Sequence, residues 1–148
     1  MATKHNAIIA DKSALVSLIN PTEANHKRAV AEASRLQQER TTVVIGSDIF
    51  SETINLLGKK FGKSVAAEAA HALLKIDSQF VYVEITRELM QKAVAYFTNE
   101  KQSVSLTDCI VMALADSFAT REIFGFDKQF EDAGYTRLQP DDPKREAA

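Results

Sequence analysis

Four acidic residues, Asp11, Glu52, Asp108 and Asp127, occupy places in the chain where carboxylates could converge. Asp11 directly follows the apolar run Ala7-Ile8-Ile9-Ala10, and Asp127 directly follows Ile123-Phe124-Gly125-Phe126. Glu52 comes shortly after the β-branched run Val43-Val44-Ile45, and Asp108 stands in Ser105-Leu106-Thr107-Asp108-Cys109 before a long apolar stretch. Carboxylates gathered at one edge repel one another and take up protons unless a cation joins them. An all-oxygen donor set without a His or Cys cluster suits Mg²⁺ or Mn²⁺. Such sites commonly serve phosphate chemistry. Each acid also has an ordinary reading. Asp108 could be a first-turn acid that steadies a helix end, Asp127 an N-cap, and Glu52 part of a solvated helix face beside Asp48. Asp11 has the fewest structural explanations, because it ends a buried strand.

The elements that would position these acids follow from the apolar pattern. Short runs at 7–10, 43–45, 80–83 and 123–126 read as buried strands, with 135–138 as a possible fifth. Helical spacing appears between them. The first helix, capped by Ser13, runs through Leu18 and Ile19; the next covers Glu23 to about Glu39, with Ala29, Ala33 and Leu36 inward and Lys27, Arg28, Glu32 and Arg35 outward. Asp48 starts a helix to Phe61, with Ile49, Phe50, Ile54, Leu57 and Phe61 on its apolar side, and Gly62 ends it. Ser64 caps a helix burying Val65, Ala66, Ala69, Leu73 and Ile76. Thr86 caps one burying Leu89, Ala93, Val94 and Phe97. The helix opened by Ser105 runs to Thr120 and is apolar nearly all round, the pattern of a buried helix. A short helix holds Phe130 and stops at Gly134. The expectation is an α/β fold, with a central parallel sheet of four to five strands and helices on both faces. Ligands bind such sheets at the carboxyl ends of the strands. Asp11, Asp127 and Glu52 follow strands there, whereas Asp108 precedes one and reaches that edge only if the chain crosses over first.

The chain has 148 residues, 45% hydrophobic and 26% charged, which suits one soluble domain with a sizeable core. Residues 1–139 are expected to form it, with 140–148 as a flexible polar tail. A net charge of -2 excludes a general electrostatic affinity for nucleic acid, so RNA binding would need local cations. Lys59, Lys60 and Lys63, and Lys27, Arg28 and Arg35, are the local clusters. A single cysteine, Cys109, excludes an intrachain disulfide and reads as a packed core thiol. His26 and His71 read as packing or surface residues, and Asp116 as a partner for Arg121. With no signal peptide or membrane span in the pattern, a cytoplasmic protein is expected.

The motifs Ile8-Ile9-Ala10-Asp11-Lys12-Ser13-Ala14-Leu15, Ser51-Glu52, Ser105-Leu106-Thr107-Asp108-Cys109 and Phe126-Asp127-Lys128-Gln129-Phe130 with Gly134-Tyr135 resemble a PIN-domain ribonuclease. More narrowly, they resemble the VapC toxins of type II toxin–antitoxin pairs. The resemblance spans roughly residues 7 to 138. It implies a Mg²⁺- or Mn²⁺-dependent endonuclease on RNA, leaving a 5′-phosphate and a 3′-hydroxyl. A cognate antitoxin would inhibit it, and the protein would be a homodimer. Asp11 and Asp108 would be the principal metal ligands, with Glu52 and Asp127 completing the catalytic site. Ser13 and Thr107 would supply hydroxyls behind the acids.

Two positions depart from the family pattern. Lys12 replaces a small hydroxyl residue after the first Asp, and Gly125 replaces Thr or Ser two residues before the last. A catalytically weakened PIN-fold module that binds RNA or a protein partner is therefore the alternative. A small-molecule phosphohydrolase is a third class, opposed by the absence of an Asp-x-Asp after the first strand and of a Gly-rich phosphate loop.

Overall fold

A computed structural model describes residues 6–99 and 104–140. The expected polar connection through Lys101 and Gln102, and the tail beyond residue 140, lie outside the described residues, as does most of the N-terminal stretch before Ala7. Four strands form one all-parallel sheet in the order β3-β2-β1-β4. They are β1 (Ala7–Ala10), β2 (Thr42–Gly46), β3 (Phe80–Val83) and β4 (Ile123–Phe124). Ile9 lies between Val44 and Ile123 in register, at the centre of the sheet. Every residue of Ile8–Ala10 and Val43–Gly46 is buried, so both faces of the central strands are covered. This is why those runs read as continuous apolar segments rather than alternating ones.

The helices are α1 (Lys12–Ile19), α2 (His26–Gln38), α3 (Ser47–Phe61), α4 (Lys63–Leu73), α5 (Arg87–Asn99), α6 (Leu106–Ser117) and α7 (Lys128–Asp132). The body of α6 is buried without interruption from Cys109 to Ala115. Its Leu114 belongs to the main core with Ile9, Leu15, Ile45, Phe124 and Phe130. Val16, Leu57, Ala66 and Ala69 form a smaller cluster joining α1, α3 and α4. Gly62, at φ +94°, is the hinge between α3 and α4, a backbone conformation that L side chains avoid. No helix among the described residues is long and apolar enough to cross a membrane.

Several sequence expectations need correction. Asp11 and not Ser13 holds the cap position of α1, and Gly62 and not Ser64 that of α4. Asp48 does not cap α3 either. Gly46 occupies that position, and Asp48 lies in the first turn with a carboxyl pushed up by burial. Helix α2 starts at His26, because Asn20 and Thr22 bond each other and fold the preceding residues into turns. Glu32 is buried, not outward. Arg28 and Arg35 of its own helix grip its carboxylate, which lets the charge leave water. Helix α4 buries Ala66, Ala69 and Leu73, a stripe that leaves Val65 exposed, and Ile76 lies beyond the helix end. Helix α5 packs through Leu89, Ala93 and Tyr96, so Val94 and Phe97 on the neighbouring stripe face outward. Phe61 is likewise exposed at the end of α3, and so is Phe118, the C-cap residue at the end of α6. The expected fifth strand is reduced to one bridge, Glu122 with Thr136. Strand β4 stops at Phe124, and the Phe126 N–H bonds the Ser13 hydroxyl instead of a neighbouring strand. Thr86 does cap α5, accepting from Leu89 N–H at 3.2 Å.

Candidate metal centre

The carboxyl ends of β1 and β4 lie side by side, paired through Ala10 and Phe124. The residues that follow them therefore share one edge. Asp11 leaves β1 there, and Asp127 stands three residues beyond β4 at the start of α7. Both occupy N-cap positions, yet neither side chain caps its helix. The ordinary explanation for an acid in those places is thus missing from both, and their carboxylates are available to each other. Asp108 arrives from α6, whose first turn opens at the same edge. One oxygen from each of Asp11, Asp108 and Asp127 lies within 4.8 Å of the other two. Asp108 therefore reaches the same edge as the other two.

Asp108 differs from its neighbours in doing structural work as well. Ser105 accepts from the Asp108 N–H at 3.0 Å, and Asp108 Oδ2 accepts from the Ser105 N–H at 3.1 Å. This reciprocal capping box fixes the first turn of α6 and with it the carboxylate. The helix-end reading of Asp108 holds, and it leaves the carboxylate a second oxygen outside the capping box.

Asp11 is the most buried of the three acids, only 4% exposed. Burial, then the neighbouring Asp127 carboxylate, push its pKa up from 3.8 to about 7; Asp108 adds to the rise and the Lys12 backbone N–H opposes it. The chain therefore holds a carboxyl that resists ionisation in the absence of a compensating cation. Ser13 steadies it, donating to Asp11 Oδ2 at 3.2 Å and accepting from Phe126 N–H at 2.9 Å. One hydroxyl thereby ties the end of β1 to the segment leading to Asp127. The expected supporting role of Ser13 has this geometry behind it.

Glu52 stands apart from the three clustered acids. It lines the same cleft, but its Oε2 lies 3.8 Å from the Lys12 ammonium, and Thr107 donates to its Oε1 at 3.5 Å. Lys12, flagged by the sequence as a departure, is the partner of the fourth acid. Gly125, the other departure, has a steric cause. A β-carbon there would come within 2.8 Å of Asp11 Cβ. Asp11 packs against the bare backbone of residue 125, and no side chain fits between them.

The cleft around these residues has a volume of about 610 Å³. Beyond the six residues expected from the sequence, it is bordered by Lys60, Glu23, Asn25 and Ser17. Lys60 was visible in the Lys59-Lys60-Lys63 run, whereas Glu23, its partner at 3.6 Å, carried no sequence signal. Arg28 and Arg35 are engaged with Glu32 on α2. Away from the cleft, Asp116 accepts from Tyr96 and Tyr135 hydroxyls at 2.5 and 2.9 Å, with Arg121 at 3.6 Å as the sequence anticipated. His26 bonds the Ser17 carbonyl, and Cys109 is buried, so neither belongs to the site.

The donor set fits a hard divalent cation: three oxygen ligands, one of them buried and strained toward protonation without a counter-charge. Comparison with known proteins gives a consistent picture. The sequence pattern of the PIN domain matches residues 8–134. Among solved structures, the chain is similar to VapC20 of Mycobacterium tuberculosis, described as a sarcin-ricin loop cleaving toxin. That match has a TM-score of 0.77 and 23% identity, covering 90% of this chain and 99% of the other. It is also similar to VapBC2 from Rickettsia felis, solved bound to a DNA fragment from its promoter. There the TM-score is 0.69 and the identity 14%, covering 91% of this chain and 99% of that one. At these identities the likeness is one of fold. No curated protein matches the chain.

Proposed function

The chain belongs to the PIN domain family, and from that premise we propose that it is a Mg²⁺- or Mn²⁺-dependent endoribonuclease, the toxin of a toxin–antitoxin pair. The observation that carries this reading is the meeting of Asp11, Asp108 and Asp127 at the carboxyl edge of the sheet. Asp11 and Asp108 are the principal ligands and Asp127 completes the set. When bound, the cation polarises a phosphoryl oxygen and acidifies the attacking water. The chain's own contribution is to hold its acids in fixed relation: Ser13 through two hydrogen bonds, and Ser105 through the capping box. Glu52, oriented by Thr107, stands at the side of the cleft where it can position a water. Lys12 and Lys60, paired with Glu52 and Glu23, offset part of the acidic charge that an RNA backbone would meet in the cleft.

Hydrolysis would leave a 5′-phosphate and a 3′-hydroxyl. The fold shared with VapC20 and VapBC2 supports a cognate antitoxin as partner, with a homodimer and a cytoplasmic location as further parts of the proposal. The test is cleavage of structured RNAs with Mg²⁺ or Mn²⁺ by the wild type, Asp11→Asn and Asp108→Asn. Cleavage by the wild type alone is expected. Absence of cleavage by wild type, or equal cleavage by all three, overturns the nuclease reading. RNA retained but never cut supports the binding module instead.

A further inference from the structure

We infer that the Lys12 ammonium acts as a fixed counter-cation to Glu52, so that the centre takes a single divalent ion, held by Asp11, Asp108 and Asp127. The inference rests on the metal reading above and goes beyond it by assigning stoichiometry to one residue of this chain. Two independent features of the structure carry it.

The first is where the acids fall. Among the described residues, only Asp11, Asp108 and Asp127 bring their oxygens together, and Glu52 is outside that group although it borders the same cleft. Both Glu52 oxygens already have partners, Lys12 Nζ at 3.8 Å on one and the Thr107 hydroxyl at 3.5 Å on the other. A second ion would have to compete for Glu52 with the ammonium 3.8 Å away.

The second is the position of Lys12 itself. It is the first residue of α1. A cation in that turn faces the positive end of the helix dipole, which favours acids there. Helix physics therefore gives no reason for lysine at position 12. The pair with Glu52 supplies little stability either, because both side chains are nearly half exposed and water screens them. What Lys12 does have is a carboxylate partner beside three others. Its charge substitutes for that of an ion on the Glu52 side, while the Asp side stays open to one.

The inference is tested by titrating Mn²⁺ into metal-free protein, with bound ion counted from the loss of the free-ion paramagnetic resonance signal. Wild type is expected to bind one Mn²⁺ per chain. Lys12→Thr frees Glu52 and is expected to bind two, and Lys12→Thr with Glu52→Gln to return to one. Lys12→Gln, closer in length to the native side chain, repeats the measurement should the threonine variant fold poorly, and circular dichroism checks each protein. Two ions on wild type, or one ion on both folded Lys12 variants, overturns the inference and leaves the metal reading standing. Folded wild type that binds no Mn²⁺ overturns the metal reading, and this inference with it.

Discussion

Removing the charge of Asp11 should make the metal-free protein more stable at neutral pH, even though it should abolish cleavage. Its carboxyl, buried against Asp127 and Asp108, has its pKa raised from 3.8 to about 7. The folded state thus holds that proton more tightly than the unfolded chain does. The associated stability is intact below pH 3.8 and is lost as pH rises through about 7. A displacement of that size corresponds to about 4 kcal/mol in total, more than half of which falls between pH 5 and pH 8. Other carboxyls titrate over the lower part of this range, so the informative quantity is the difference between wild type and Asp11→Asn. Urea unfolding in chelator at pH 5 and pH 8 measures it. The advantage of Asp11→Asn should grow by about 2–3 kcal/mol across the interval, and saturating Mg²⁺ should shrink that growth by favouring the ionised form of the wild type. A difference that stays flat with pH in chelator refutes the claim that Asp11 is charge-strained. Growth that Mg²⁺ leaves untouched refutes the claim that a cation relieves the strain.

Three further outcomes follow from the geometry. Ser105→Ala removes one half of the capping box on α6 and should lower stability by about 1 kcal/mol; urea midpoints check this, and weaker Mn²⁺ binding should accompany it because Asp108 loses its fixed turn. Gly125→Ala forces a β-carbon to 2.8 Å from Asp11 Cβ and should cost about 1–3 kcal/mol, with an unchanged unfolding midpoint counting against the close-approach argument. Tyr135→Phe deletes the bond to Asp116 Oδ1 and should cost about 1–2 kcal/mol. Its Mn²⁺ affinity should stay at the wild-type value, since the Asp116 cluster lies outside the acid cleft.

The parts of the site legible in the sequence were those set by chain direction. A short apolar run that ends in an acid puts that acid at a strand's carboxyl end, which located Asp11 and Asp127 without knowledge of any contact. Asp108 needed the family order of motifs, because its helix precedes a strand. The Lys12–Glu52 pair was beyond reach, since nothing local marks two residues on different helices as neighbours. The burial of Glu32 was hidden for the opposite reason. Its partners Arg28 and Arg35 sit at helical spacing on an apparently solvated face, and a charged face looks the same whether water or protein lies beyond it. On α5, the stripes 89–93–96 and 90–94–97 are both apolar, and only packing against the rest of the fold decides which is covered.

The contact between Gly125 and Asp11 also restricts the order in which this sequence could change. A Thr or Ser at position 125, as in the family pattern, cannot be introduced here by one neutral substitution, because its β-carbon would meet that of Asp11 first. The backbones of the two segments would have to separate beforehand, and the Ser13 hydroxyl that bonds both of them resists that. Substitutions at Gly125 and Ser13 are therefore expected to be coupled rather than additive. A side chain at 125 would therefore need a prior change elsewhere at the carboxyl edge of the sheet.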